Sequence, residues 1–147
     1  REEERPYTVT VRVDSQGTVP ELDETNNERS ERILEPPLPD LTVSSLTMVP
    51  AKPTARDTIR FTGVILNGGE GGAAACQGRI VVRIGGQTFP ETFSIPALAP
   101  GVEHRETYET RLDAGTYDVE VIADAPGTVA ESREDNNRRS LSVRVSP

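Results

Sequence analysis

The segment Tyr117–Asn137, YDVEVIADAPGTVAESREDNN, restates an earlier one, Tyr7–Asn27, YTVTVRVDSQGTVPELDETNN. The two run without a gap at a constant offset of 110, the separation of Tyr7 from Tyr117. Tyr7, Val9, Val11, Asp14, Gly17, Thr18, Val19, Glu21, Glu24, Asn26, Asn27, Arg29 and Ser30 all recur at that offset. Ungapped identity at a fixed period marks a repeated structural unit, and it fixes the domain plan before any strand is assigned. Roughly the last third of a first unit is followed by one whole unit. We expect residues 1–35 to hold the C-terminal hairpin of the partial module, 36–39 a linker, and 40–147 the complete module.

Within the hairpin, Tyr7, Val9, Val11 and Val13 alternate with Thr8, Thr10 and Arg12, the period of a half-buried strand. Glu28–Leu34 is a weaker strand whose main apolar contact is Ile33. Arg1–Arg5, REEER, is charged and expected to be exposed. Pro36, Pro37 and Pro39 make a stiff, extended connector. Beyond it, strands are expected at Leu41–Met48, Thr58–Leu66, Cys76–Ile84, Gln87–Ile95, Glu103–Arg111, Tyr117–Ala123 and Ser140–Val145. Gly85-Gly86 reads as a tight hairpin turn, and Pro90 marks Gln87–Ile95 as an edge. Seven short antiparallel strands with regular turn signals predict an all-β sandwich, with the partial module's hairpin in front of it.

Composition narrows the functions. Aromatics are 4% of the chain with no Trp, so the core is built from Val, Ile and Leu. The net charge of −8 supplies no basic stripe to neutralise phosphates, which argues against a nucleic-acid partner. No apolar run reaches the ~20 residues of a membrane-spanning helix. The chain opens at Arg1 with neither Met nor a signal peptide, so we expect a processed product or a piece of something longer. Cys76, the only cysteine, shares parity with Ile80, Val82 and Ile84 and reads as a buried structural thiol. His104, the only histidine, suits packing or a sandwich rim. With no nucleophile–base pairing, phosphate-cradling loop or metal-ligand cluster, the chain does not read as an enzyme.

Asp113-Ala114-Gly115-Thr116-Tyr117-Asp118-Val119 has the spacing of a tyrosine corner, in which Tyr117 bonds to backbone a few residues upstream. That motif, Leu98-x-Pro-Gly101, Asn67-x-Gly69, the opening Pro39-Asp40-Leu41-Thr42-Val43 and the endings Glu131-x-x-Glu134-x-Asn136-Asn137 and Glu21-x-x-Glu24-x-Asn26-Asn27 together resemble the CARDB family. These are cell-adhesion-related domains of bacteria and archaea. The resemblance covers Asp40–Ser146 in full and Tyr7–Leu34 in part. It implies an Ig-like sandwich used in tandem on secreted or cell-surface proteins as stalk, spacer or adhesion module, and it carries no catalytic residues.

The repeated loop has two readings. In the structural one, Val129 (and Val19 in the first copy) plugs the loop into the core, Asn136 and Asn137 turn the backbone into the last strand, and Glu131 and Glu134 accept from loop amides. In the other, Asp124, Glu131, Glu134 and Asp135 offer hard oxygens to calcium, as do Asp14, Glu21, Asp23 and Glu24 beside the linker and Asp40. The structural reading is preferred, because no Asp-x-Asp-x-Asp-Gly loop fixes oxygens about a point; no cofactor is expected. We therefore expect a non-catalytic extracellular module whose partners are other copies or neighbouring modules. These would cover Tyr7, Val9, Val11, Val13 and Ile33 by strand complementation or tandem stacking. The alternative is a surface module binding a carbohydrate or a protein ligand.

Overall fold

The computed structural model describes residues 6–147, so the expectation for Arg1–Arg5 lies outside the described residues. Two compact units divide between Pro36 and Pro37. Among the described residues there are nine strands and no helix.

The first unit is one antiparallel hairpin, β1 (Tyr7–Arg12) and β2 (Glu28–Ile33), in register from Tyr7↔Ile33 to Arg12↔Glu28. Polar side chains line one face as cross-strand pairs: Thr10 bonds Ser30 at 2.8 Å, and Arg12 forms an ion pair with Glu28. Every residue of both strands is exposed.

The second unit is a sandwich of two antiparallel sheets. A three-stranded sheet runs β3 (Leu41–Val49), β4 (Ile59–Asn67), β7 (Glu103–Thr110). A four-stranded sheet runs β6 (Gln87–Ile95), β5 (Cys76–Ile84), β8 (Gly115–Ile122), β9 (Arg138–Val145). The expected strands are all present, with ends moved by a residue or two. β3 carries a bulge where its register against β4 shifts between Val43 and Ser45. β6, with Pro90, is an edge strand, where a missing ladder donor costs least. Gly85 and Gly86 both sit at positive φ, +53° and +82°, the conformation a two-residue hairpin turn demands.

Alternation supplies the core. Leu41, Ile59, Phe61 and Ile65 from one sheet meet Ile80, Val119, Val121 and Val143 from the other. Burying each such side chain contributes about 1.5–3 kcal/mol. Phe61 and Tyr117 are the buried aromatics among them, so γ- and β-branched residues dominate the packing. On the outer face of the four-stranded sheet, Glu120 is buried opposite Val81 and is held by Arg83 at 2.6 Å.

Candidate functional site

The β8–β9 loop fastens itself before it touches anything else. Asp124 leaves β8 at φ +39° and Gly127 turns at φ +66°, which lets the Gly127 amide donate to the Asp124 carbonyl at 2.8 Å. Asp124 then folds its carboxylate inward. Oδ1 accepts from the Thr128 hydroxyl (2.9 Å) and Oδ2 from the Val129 amide (2.7 Å). Glu134 Oε1 accepts from the Glu131 amide at 3.0 Å, and the Ala123 amide donates to the Asn137 carbonyl at 2.7 Å, closing the loop base. Val129 is thereby pressed into the core.

The first copy reproduces this circuit bond for bond. Asp14 (φ +41°) accepts from the Thr18 and Val19 amides, both at 2.9 Å, and Gly17 turns at φ +61°. Glu24 accepts from the Glu21 amide at 2.9 Å, and the Val13 amide donates to the Asn27 carbonyl at 2.9 Å. The backbone donors hold the Asp14 carboxyl below its usual range, the Val19 amide first. Val19, however, is exposed, so the expectation that it plugs a core is corrected: a lone hairpin has no second sheet for it to enter.

In the complete module the loop also grips the chain's entry into β3. Glu131 accepts from the Leu41 amide with one oxygen and from Asn137 Nδ2 with the other, the latter at 2.6 Å. Asn136 Nδ2 donates to Asp40 Oδ1 at 2.8 Å, and the Ser132 amide donates to the Pro39 carbonyl at 2.8 Å. Asn136 and Asn137 thus bond carboxylates with their side chains, not the backbone turn expected of them, because half-buried Asp40 takes an amide proton of one and buried Glu131 of the other. Burial pushes the Glu131 carboxyl upward, outweighing the Leu41 and Asn137 hydrogen bonds that oppose it.

The turn after β4 grips the same segment from the other side. Asn67, fully buried, accepts at Oδ1 from the Asp40 and Gly69 amides, both at 3.1 Å. Its Nδ2 donates to the carbonyls of Gly71 (2.8 Å) and Leu98 (2.9 Å). The Gly68 amide donates to the Asp40 carbonyl (2.8 Å) and the Gly71 amide to that of Leu38 (3.0 Å). A Cβ on Gly71 would overlap the Pro37 carbonyl oxygen, so glycine is what lets the two backbones approach. Leu38–Leu41 is therefore clamped through its backbone on both sides. In the sequence Asn67 stands out only within the Asn67-x-Gly69 motif; an amide ending an apolar strand just before glycines was the available signal.

The remaining candidates fall outside the clamp. The Tyr117 hydroxyl donates to the Asp113 carbonyl at 3.0 Å, beside Gly115. His104 stacks on Phe93 with ring centroids 6.4 Å apart and lies 3.3 Å from Glu106. Burial, then the charge of Asp124, pushes the Cys76 thiol up to about 11, which leaves little thiolate at neutral pH. Tyr7, Val9, Val11, Val13 and Ile33 form one exposed surface with Asn26 and Asn27 at its end. Asp124 and Glu131 have both carboxylate oxygens committed to protein donors, Glu134 has one, Asp135 lies 3.5 Å from Arg133, and Asp23 accepts from Thr25. Among the described residues no three His, Cys, Asp or Glu side chains converge as a metal would require.

Residues 38–141 match the family model described as CARDB. The fold is similar to a crystal structure of a CARDB domain from Pyrococcus furiosus determined in complex with di-metal ions. TM-score is 0.65 and identity 24%, over 74% of this chain and 94% of that one. It is also similar to a solution structure of a domain of a candidate cell-surface protein from Methanosarcina acetivorans (TM-score 0.60, identity 24%, 74% and 92% covered). A β-glucosidase from Erythrobacter marinus shares the fold at TM-score 0.51 and 12% identity, with 73% of this chain covered but 15% of the enzyme. No curated protein matches the chain.

Proposed function

The chain belongs to the CARDB family, and we propose that it is a non-catalytic, extracellular or cell-surface module whose work is structural: to hold neighbouring modules of a tandem array on a fastened connector. The observation that carries this reading is where the repeated acidic motif spends its hydrogen bonds. Glu131, Asn136 and Asn67 bond Asp40 and Leu41, the Ser132 amide bonds Pro39, and Asn137 holds Glu131 in place, so the chain entering the module is fastened. A connector bonded through its own backbone cannot swivel at its last residues, which suits a spacer more than a flexible tether. The family and the cell-surface relative support the location.

The Pyrococcus relative was determined with di-metal ions, but here Asp124 and Glu131 have both carboxylate oxygens taken by protein donors and Glu134 has one. No cofactor is therefore assigned. Binding of a carbohydrate or protein is the second reading. A cavity of about 150 Å³ at the open side of the sandwich favours it, lined by Phe61, Phe93, Tyr108, Glu91 and Glu106. A glycan array separates the two: the spacer reading expects no saturable binding, and binding lost on Tyr108→Ala overturns it.

A further inference from the structure

The two copies of the repeated segment have one local structure and opposite burial. Val9 is 47% exposed where Val119 is 0%, Val11 62% where Val121 is 2%, and Ile33 51% where Val143 is 0%. The complete module shows what makes the difference. β5 pairs through Arg79–Arg83 with the edge of β8 at Asp118–Ile122, and the opposite sheet lays Leu41, Ile59, Phe61 and Ile65 over the valines. The equivalent stretch of β1, Thr8–Arg12, pairs with β2, the counterpart of β9, and with no other strand among the described residues. Glu21, Asn26 and Asn27, whose counterparts grip Asp40, Leu41 and Glu131, make no side-chain hydrogen bond with the described residues.

We propose that the β1–β2 face is the docking surface for the front five strands of a second CARDB module, carried in the same polypeptide ahead of Tyr7, and that this hairpin closes that module. The proposal rests on the tandem-spacer reading and deepens it by naming the partner. The occupant's chemistry follows from the second copy. It has an antiparallel strand to pair with Thr8–Arg12, an apolar sheet opposite Val9, Val11 and Ile33, and a backbone N–H to donate to Glu21 as the Leu41 amide donates to Glu131. A second copy of this chain does not fit, because its own five front strands already carry β8 and β9. Two hairpins face to face do not suffice either. Three valines, an isoleucine and a tyrosine offer on the order of a few hundred Å², against about 800 Å² per partner in a stable interface.

The test grafts residues 40–116 directly before Tyr7 in the full chain, in place of residues 1–6, so that Thr116 meets Tyr7 as it meets Tyr117 natively. Hydrogen exchange is read at the Thr8–Arg12 and Arg29–Ile33 amides of the graft and of the parent chain. Docking should slow them roughly hundredfold or more, because strands in a core exchange only on global opening whereas a lone hairpin opens freely. Val11→Asp in the graft should restore fast exchange there and leave β8 and β9 protected. Unchanged exchange in a folded graft overturns the proposal. A control replaces residues 7–34 of the graft with 117–144; if it folds and the graft does not, this hairpin is not a closing hairpin and the proposal falls. A concentration-dependent dimer of the parent chain, abolished by Val11→Asp, would assign the face to a second copy and overturn it likewise. Glycan binding would sink the spacer reading without moving any of these measurements.

Discussion

At the scale of single residues, two groups bear on stability in opposite ways. Tyr117 spends its hydroxyl on the Asp113 carbonyl inside the bend that leads into β8. Tyr117→Phe keeps the ring and removes that bond. It should cost about 1 kcal/mol, up to ~3 if the carbonyl stays buried. Urea melts of both proteins at equal slope would show it, and equal midpoints would refute the corner's contribution. Glu131 instead carries a buried charge. Burial holds its carboxyl above the usual carboxylate range in the folded state, so the folded protein binds its proton more tightly than the unfolded chain does. The stability this contributes is full below the unfolded pKa and is lost as pH rises through the folded one. Glu131→Gln should flatten that decline in thermal melts taken between pH 4 and 7, with Asn137 turning its amide to offer the buried Oδ1 that lacks a partner. Glu131→Ala should cost about 1–3 kcal/mol at pH 7, because the Leu41 amide is left buried and unpaired.

Among the elements, the β4–β5 turn is as much a part of the clamp as the acidic loop. Gly71 lies against the Pro37 carbonyl, while a Cβ on Gly72 would meet nothing within 4 Å. Gly71→Ala should therefore push the connector off the turn and cost about 1–3 kcal/mol, whereas Gly72→Ala should stay within about 0.5 kcal/mol. Differential scanning calorimetry of the pair checks this. Similar losses in both would mean that the turn merely dislikes alanine, and the clamp would not be the reason. Elsewhere the strand signals were plain in the sequence, since alternation of Val and Ile with polar residues decides which face enters the sandwich. The bulge at Ser44 was not, because a bulge answers to the register of β4, a strand more than a dozen residues away in sequence.

For the whole molecule, the question is whether its charge calls for cations. The net charge of −8 includes the loop acids Asp14, Glu24, Asp124 and Glu134, whose carboxylates accept from their own loop backbone. Millimolar calcium or a chelator should leave the melting temperature where it was, because an ion bound only by the native state would raise it by mass action. A calcium-dependent rise abolished by Glu131→Ala with Glu134→Ala would reverse the assignment of these acids. The hairpin unit is the other whole-molecule matter. Its strands hold together by one ladder and polar cross-strand pairs, and such hairpins are marginal in water without a covering layer.

The sequence by itself determined the strands and the tyrosine corner, which are local or periodic. Tyr117 reaches back four residues to Asp113. Such a contact follows from spacing along the chain. Tertiary structure decided the rest. Glu131 meets Leu41 across a sequence separation of 90, and Asn136 meets Asp40 across 96. Both pairs exist only because sandwich closure brings the first strand's entry beside the last loop. The same dependence separates Val19 from Val129. The two share a residue type, a preceding Gly-Thr and a backbone turn, yet one is exposed and the other buried. Burial belongs to the sheet packed opposite, and no segment carries that information alone.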